Sequence, residues 1–318
     1  KLIFKGADMN SKTPEVVVMM STYNGVKYLD EQIKSILDQK NVCLKLIIRD
    51  DGSTDATYEI LKKYAEANKD KIILLERDGN NLGSANGFMY LLNYALDNMD
   101  SNINFFAFAD QDDFWLDEKL YHGVLNIEGT KKPALYYSKK IIVDQNLNKL
   151  NVHDDFFYED SFLQFVTVSN AYGCTFVFNR KLAEMCRNKP QNGKIHHDAW
   201  IYRIAGCTGA YICRDKQGYI LYRQHQNNVV GKVEYWTLKK GVHRLLGKRN
   251  HILQNTFREI NNQCRTDFTV EAQSLVPLIC NYTESFVARF KLLKWKTPYK
   301  YGMKKSLIWI FKVLSNGI

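Results

Sequence analysis

No run of apolar residues in this chain approaches the roughly 18 that a membrane-spanning helix requires. No secretory pattern of basic, apolar and small residues opens it. There is no C-x-x-C pair, and the seven cysteines stand scattered at 43, 174, 186, 207, 213, 264 and 280. An odd, dispersed set argues against a disulfide framework and against a zinc site, and fits a reducing cytoplasm. Asn281-Tyr282-Thr283 matches a glycosylation acceptor, which in that compartment reads as chance. Internal repeats and low-complexity tracts are also missing. What remains is 318 residues with 45% hydrophobic content, enough for one large core, or for one domain and an appendage.

The formal net charge of +10 is unevenly placed. Residues 232–318 hold sixteen Lys and Arg against five Asp and Glu, a surplus of eleven, whereas residues 1–231 hold 28 against 29. A basic tail on a near-neutral body suggests attraction to an anionic surface, either nucleic acid or lipid head groups. Apolar residues in the tail recur at helical spacing: Phe286, Phe290 and Leu293, then Leu307, Ile310, Phe311 and Leu314. Lys300, Lys304, Lys305 and Lys312 lie among them, with Trp295, Tyr299, Tyr301 and Trp309. Such a stripe describes a helix lying on a membrane surface, or a helical appendage packed on the core with solvated lysines.

Earlier in the chain, strand and helix patterns alternate. Val16–Met20, Leu44–Ile48, Ile72–Leu75 and Phe105–Ala109 read as strands. Tyr28–Leu37, Ala56–Ala65 and Ala85–Leu96 read as the helices between them, with Asp55 as an N-cap of the second. That rhythm implies βαβ units and a parallel sheet. Further on, 134–145 reads as a strand or hairpin, 162–170 is ambiguous, and Cys174–Phe178 reads as a strand. Asp198–Ala205 reads as a helix, and Ala210–Cys213 with Tyr219–Tyr222 as a closing pair of short strands. The chain divides into a leader at 1–13, a catalytic body at 14–231 and a helical extension at 232–318. Met9-Asn10-Ser11 reads like a native start, with residues 1–8 as an addition ahead of it.

Polar loops follow the strands. Asp110-Gln111-Asp112-Asp113 closes an apolar run, so a buried strand ends in three carboxylates. Aligned carboxylates repel unless a cation sits between them, and the carboxyl ends of strands are where open α/β sheets bind ligands. This suggests a Mg²⁺ or Mn²⁺ site facing a phosphorylated ligand, against the plainer reading of a solvated loop with Asp117 capping the next helix. Ser21–Gly25 follows the first strand, where Tyr23 would stack on a nucleobase; an ordinary Asn-Gly turn also fits. In Arg49–Asp55, one of two carboxylates would accept the N3–H of a uracil or thymine ring and the other would position neighbouring loops; helix capping by Ser53 or Asp55 also fits. The small residues of Asn80–Asn86 permit close approach of a ligand or loop.

In order and spacing, Thr22-Tyr23-Asn24, DDGSTD at 50–55, NLGSANG at 81–87 and ADQDDFW at 109–115 resemble the inverting family 2 glycosyltransferases over about residues 14–231. The resemblance implies an α/β GT-A fold, a Rossmann-like mixed sheet flanked by helices. It implies that Tyr23 and Asp51 bind a pyrimidine base, and that Thr22, Asn24 and Asn86 line the nucleotide site. Asp110 would contact the ribose or a metal-bound water, and Asp112 would hold Mg²⁺ or Mn²⁺ on the donor diphosphate. The family places a base at the start of a helix, and Asp198 in Lys194–Trp200 is the candidate. His197-Asp198 replaces the usual Glu-Asp and resembles the rhamnosyltransferase subgroup, though Ala199 intervenes before Trp200; N-capping by Asp198 is the plainer alternative. A zinc pair at His196 and His197 lacks completing ligands. In Tyr222–Asn228, His225 would complete the metal shell and Arg223 would pair with phosphate oxygens. Trp115, His197 and Trp200 would face the donor or acceptor sugar, a core role for either tryptophan being the alternative.

The resemblance thus implies a sugar transferase with dTDP-β-L-rhamnose as the first-choice donor and a lipid-linked or oligosaccharide acceptor. A UDP-glucose or UDP-galactose donor is the alternative. The expected place is the cytoplasmic face of an anionic membrane, held by the tail. A nucleic-acid-binding protein is the alternative from another class, and the acidic ligand loops speak against it. A metal-dependent phosphatase would leave Thr22–Asn24 and Asp198 without a task.

Overall fold

The computed structural model describes residues 13–151, 162–167, 171–188, 195–225, 251–294 and 313. Its centre is β1 (Glu15–Thr22), in which Val16 to Met20 are at most 1% exposed. A continuous apolar, β-branched run of this kind suits a strand covered on both faces. β2 (Cys43–Asp50) and β4 (Phe105–Ala109) flank β1 in parallel, and β3 (Ile72–Leu74) lies outside β2. The crossovers carry α1 (Leu29–Leu37), α2 (Thr57–Ala67) and α3 (Gly83–Asn98). These strands and helices lie within two or three residues of the sequence expectation at either end.

The second half turns the sheet mixed. β5 (Phe114–Trp115), α4 (Lys119–Ile127), β6 (Ala134–Val143), α5 (Phe162–Thr167), β7 (Val177–Asn179), α6 (Arg180–Met185), α7 (His197–Cys207) and β8 (Tyr211–Arg223) follow. The eight strands run in the order β3-β2-β1-β4-β7-β6-β8-β5. β7 is antiparallel to both β4 and β6, β8 is parallel to β6, and β5 is antiparallel to β8.

Two sequence expectations change here. The expected pair of short strands at 210–213 and 219–222 is one strand, β8. The charged stretch Arg214–Gln217 resembles a turn in sequence, but it is a half-exposed part of a bulged ladder whose register shifts around Lys139. Gly218 makes this fit, because a Cβ there would stand 2.8 Å from Ile141 Cγ1. The strand expected at Cys174–Phe178 begins as a 3₁₀ turn, Gly173–Thr175, and only then becomes β7.

Alternate residues of β1 serve different cores. Val17 and Met19 pack with Phe88, Phe106, Phe108 and Trp200 on one face, while Val16, Val18 and Met20 pack with Leu29, Ile33 and Trp115 on the other. The extension contributes α8 (Ile252–Cys264), α9 (Val270–Asn281) and α10 (Phe286–Leu293). Phe257, Ile260, Val276, Ile279 and Leu292 join the first of these cores. The described part of the extension is therefore packed on the body. Among the described residues, no helix is long and apolar enough to cross a membrane. The apolar face expected at 307–314 and the lysines at 300–312 lie outside the described residues, except Val313, which is buried.

Asn179 ties β7 to the start of β6 and to α6. Buried, it accepts from the backbone N–H of Ala134 at 2.9 Å and of Leu182 at 3.1 Å, and donates to the Lys132 carbonyl at 2.8 Å. It caps α6 and closes the junction of β6 with β7. Asn179→Ala leaves these backbone groups unpaired, and should destabilise the protein by about 2–4 kcal/mol. The check is a lowered urea midpoint at constant slope.

Candidate active site

Parallel pairing decides where the site lies. In register, Thr22 meets Asp50 and Met20 meets Ala109, so β1, β2 and β4 end along one edge. The loops after them converge there, as in other open α/β sheets.

Both carboxylates after β2 are buried and engaged. Asp50 accepts from the Thr22 hydroxyl at 3.1 Å, the Ser53 N–H at 3.0 Å and Arg77 Nε at 2.9 Å. Asp51 accepts from Arg49 Nη1, from the Leu82 N–H at 2.9 Å and from the Gly83 N–H at 2.7 Å. The structure places Asp51, the expected acceptor of a base N3–H, at the junction of two of the converging loops. At 2% exposure, it ties the β2 loop to the loop that opens α3. Thr22 is likewise buried against Asp50. Asn24, exposed and at φ 48°, receives the Thr54 N–H at 2.8 Å and shapes the rim. Tyr23 is 49% exposed, with its ring open to a ligand. Asn86 is half-buried and donates to the Leu82 carbonyl at 3.3 Å.

The carboxylate loop is built from below. Gln32 Nε2 donates to the Asp110 carbonyl at 2.8 Å. Arg223 Nε donates to the Asp112 carbonyl at 2.9 Å, Nη1 to the Gln145 carbonyl at 2.6 Å and Nη2 to Glu31 at 2.6 Å. Arg223 is 1% exposed, so the expected pairing with phosphate is corrected: its guanidinium holds the loop in shape. Asp112 and His225 do come together, with Oδ2 and Nε2 2.8 Å apart. The carboxylate suits Mn²⁺ or Mg²⁺, the imidazole nitrogen suits a transition metal such as Mn²⁺ better than Mg²⁺, and Asp110 is close enough to feel the Asp112 charge.

Beside half-buried Asp110 lies a buried set, Asp113, Cys174 and Lys119, that the motifs did not assign. Burial, then Asp112 and Asp198, push the Asp110 carboxyl up to about 7. Burial, then Asp112 and Asp110, hold Asp113 well above the carboxylate range. Ligand atoms of Asp110, Asp113 and Cys174 lie within 4.8 Å of one another. Burial also raises the Cys174 thiol. Lys119, fully buried, has its ammonium pushed down to about 7 by burial, and its Nζ lies 3.6 Å from the centre of the Trp115 ring. Of Asp113, Cys174 and Lys119, only Asp113 had a sequence signal, as the last letter of the carboxylate string.

Asp198 enters from α7, one residue after the helix begins. Its charge raises the Asp110 carboxyl, which places the two within electrostatic reach. Its Oδ1 accepts the Ala199 N–H at 2.6 Å. His197 is buried against Phe88 and Phe108, with ring centres 4.2 and 4.9 Å away. The sugar-facing roles of Trp115, Trp200 and His197 are corrected. Trp115 is 1% exposed, Trp200 is fully buried with its indole N–H donating to the Cys186 carbonyl at 3.0 Å, and His197 is 7% exposed. Large aromatic surfaces gain most by entering a core, and these three did.

Ligand-capable loops along one edge of a mixed sheet, with two carboxylate elements facing each other, define a glycosyltransferase of the GT-A fold. Residues 17–186 match the family model Glycosyl transferase family 2, and the chain belongs to that family. It is 30% identical over 218 residues to the dTDP-rhamnosyl transferase RfbG of Shigella flexneri, covering 67% of this chain and 73% of that protein. It is 26% identical over 257 residues to an uncharacterised glycosyltransferase of Rickettsia typhi, covering 77% and 76%. Among solved structures, S. aureus TarS 1-349 superposes with a TM-score of 0.57 at 18% identity, covering 94% of this chain and 80% of that one. The mannosyltransferase PcManGT of Pyrobaculum calidifontis, solved with GDP-Man and Mn²⁺, gives 0.51 at 16% identity, covering 96% and 88%.

Because Asp110 ionises late in the folded chain, the unfolded chain releases its proton first. The stability held by the neutral form is present at acid pH and lost as pH rises towards 7. Asp110→Asn removes this penalty. Its melting temperature without metal should exceed that of the wild type by about 2–6 °C at pH 8, and the gap should narrow towards pH 5.

Proposed function

We propose that this family 2 glycosyltransferase moves L-rhamnose from dTDP-β-L-rhamnose to a hydroxyl of a lipid-linked polysaccharide, with inversion. The observation that carries the proposal is Asp198 at the start of α7, within electrostatic reach of the Asp110–Asp112 loop although 88 residues separate it from Asp110 in sequence. A displacement needs a base on one side of the sugar and charge neutralisation on the leaving-group side. In this reading Asp198 takes the acceptor hydroxyl proton as that oxygen bonds to C1. The bond from C1 to the diphosphate oxygen breaks, and dTDP leaves with the electron pair. Asp112 and His225, with Asp110 beside them, would hold a Mg²⁺ or Mn²⁺ ion, and the chemistry it would supply is Lewis-acid stabilisation of the departing diphosphate. Tyr23 stacks on the base.

The rhamnosyl donor is favoured by the similarity to the S. flexneri dTDP-rhamnosyl transferase. A thermal-shift panel with Mn²⁺ tests it, because a ligand that binds only the folded chain raises the melting point. dTDP-rhamnose should give the largest shift. A larger one with UDP-glucose, UDP-galactose or GDP-mannose would reassign the donor. Asp198→Asn should bind dTDP normally yet lose transfer by about 10²–10⁴-fold. Retained turnover would place the base elsewhere.

We also propose that the enzyme works at the cytoplasmic face of an anionic membrane, where a lipid-linked acceptor would reside. The basic surplus of residues 232–318 supports this reading, as does the outer face of α10. There Phe286, Val287 and Phe290 are 80%, 62% and 50% exposed, beside Lys291 and Lys294. Phe286→Ser with Phe290→Ser should reduce sedimentation with phosphatidylglycerol vesicles and leave donor hydrolysis unchanged. Equal sedimentation of the wild type and the double variant would reject this face.

A further inference from the structure

We propose that Gln111 is a positioning residue that joins the nucleobase loop to the carboxylate loop, so that base recognition and cation binding form one coupled unit. This rests on the donor reading above and deepens it.

The joint is a reciprocal pair. Gln111 Oε1 accepts the Tyr23 N–H at 2.9 Å, and Gln111 Nε2 donates to the Tyr23 carbonyl at 3.0 Å. One carboxamide thus satisfies both backbone groups of a residue 88 positions away, as a neighbouring strand would. β1 ends at Thr22, whose carbonyl receives the Asp51 N–H at 2.8 Å. Tyr23 is the first residue beyond the sheet ladder. With its ring half-exposed, packing does not hold it, and the carboxamide takes over the backbone pairing.

The other side of the joint is rigid. The carbonyl of Asp110, before Gln111, is held by Gln32, a fully buried side chain. The carbonyl of Asp112, after it, is held by the buried Arg223. Gln111 therefore projects from a fixed frame and transmits that frame to Tyr23. Gly25 seats the amide. A Cβ at residue 25 would stand 2.3 Å from Gln111 Oε1 and 2.6 Å from its Cδ, and the backbone of Gly25 is not left-handed. Glycine at this position is thus a matter of space for the glutamine.

Side-chain chemistry explains why glutamine stands here. Asparagine is one methylene short of the span. Glutamate can accept from the Tyr23 N–H but would face the Tyr23 carbonyl with a second oxygen. Two partly exposed hydrogen bonds of about 0.5–0.9 kcal/mol each correspond to about 5- to 20-fold in ligand affinity if the base loop must otherwise be ordered on binding.

The test is calorimetric titration of the full chain with dTDP, and with UDP, which presents the same N3–H edge. Each titration is run in EDTA and with Mn²⁺, for the wild type, Gln111→Ala, Gly25→Ala and the double variant. In the wild type, Mn²⁺ should tighten nucleotide binding. Gln111→Ala should weaken binding by about 5- to 20-fold in EDTA and shrink the Mn²⁺ enhancement. A change in that ratio is something mere loss of stability would not produce. Gly25→Ala should displace the amide and copy the effect, and adding it to Gln111→Ala should cost nothing further. Gln111→Met, nearly isosteric but unable to pair with Tyr23, should behave as Gln111→Ala and serves if the alanine variant folds poorly. Unchanged affinities and Mn²⁺ ratio in Gln111→Ala or Gln111→Met, or additive losses in the double variant, would overturn the proposal. A wild type that binds neither nucleotide would overturn it together with the donor reading.

Discussion

Carboxylates at the ends of parallel strands repel one another, and the rest of the site is arranged around holding them in place. β1, β2 and β4 deliver Thr22, Asp50 and Ala109 to one edge, which brings Asp50, Asp51, Asp110, Asp112 and Asp113 into one region. The protein answers the repulsion in three ways. Arg77 and Arg49 neutralise Asp50 and Asp51. Backbone amides of Leu82 and Gly83 add to the second of these pairs. Burial raises the Asp113 carboxyl well above the carboxylate range and the Asp110 carboxyl to about 7. Asp112, half-exposed against His225, is left as the carboxylate best placed to meet a cation.

This division separates scaffold from reactive surface. The DDG loop anchors the pocket floor, and Arg223 with Gln32 anchors the carboxylate loop. Residues facing solvent, Tyr23, Asn24 and Asp112 among them, sit on backbones fixed from behind. A loop held in this way loses little conformational freedom on meeting a ligand. The price is the set of Asp110, Asp113, Cys174 and Lys119, each with its titration moved by dehydration. Such tension between stability and chemistry is common where enzymes concentrate charge.

The extension adds a second constraint. Phe257, Ile260, Val276 and Ile279 lie in the core that includes Phe108 and Trp200, beside the layer that supports α7. The inner face of α10 joins, through Leu292, the same core cluster as Trp200 and Ile201 of the helix that carries Asp198.

Much of this was legible from residue order alone. Period-two and period-3.6 patterns depend on local sterics, so β1 to β4 and α1 to α3 were found within two or three residues at either end, and polar strings at the strand ends marked the site and its family. The tertiary structure decided which polar groups remain open to a ligand. Asp51 and Arg223 also hold partners that nothing local reveals, Gly83 being 32 residues from the first and Glu31 192 from the second. Trp115, His197 and Trp200 look like sugar contacts until the sheet and α7 enclose them. Gln111 shows no signal within its motif, and its role exists only because β1 and β4 lie side by side. Periodicity is written along the chain. Burial and pairing depend on segments distant in sequence, and only packing brings those together.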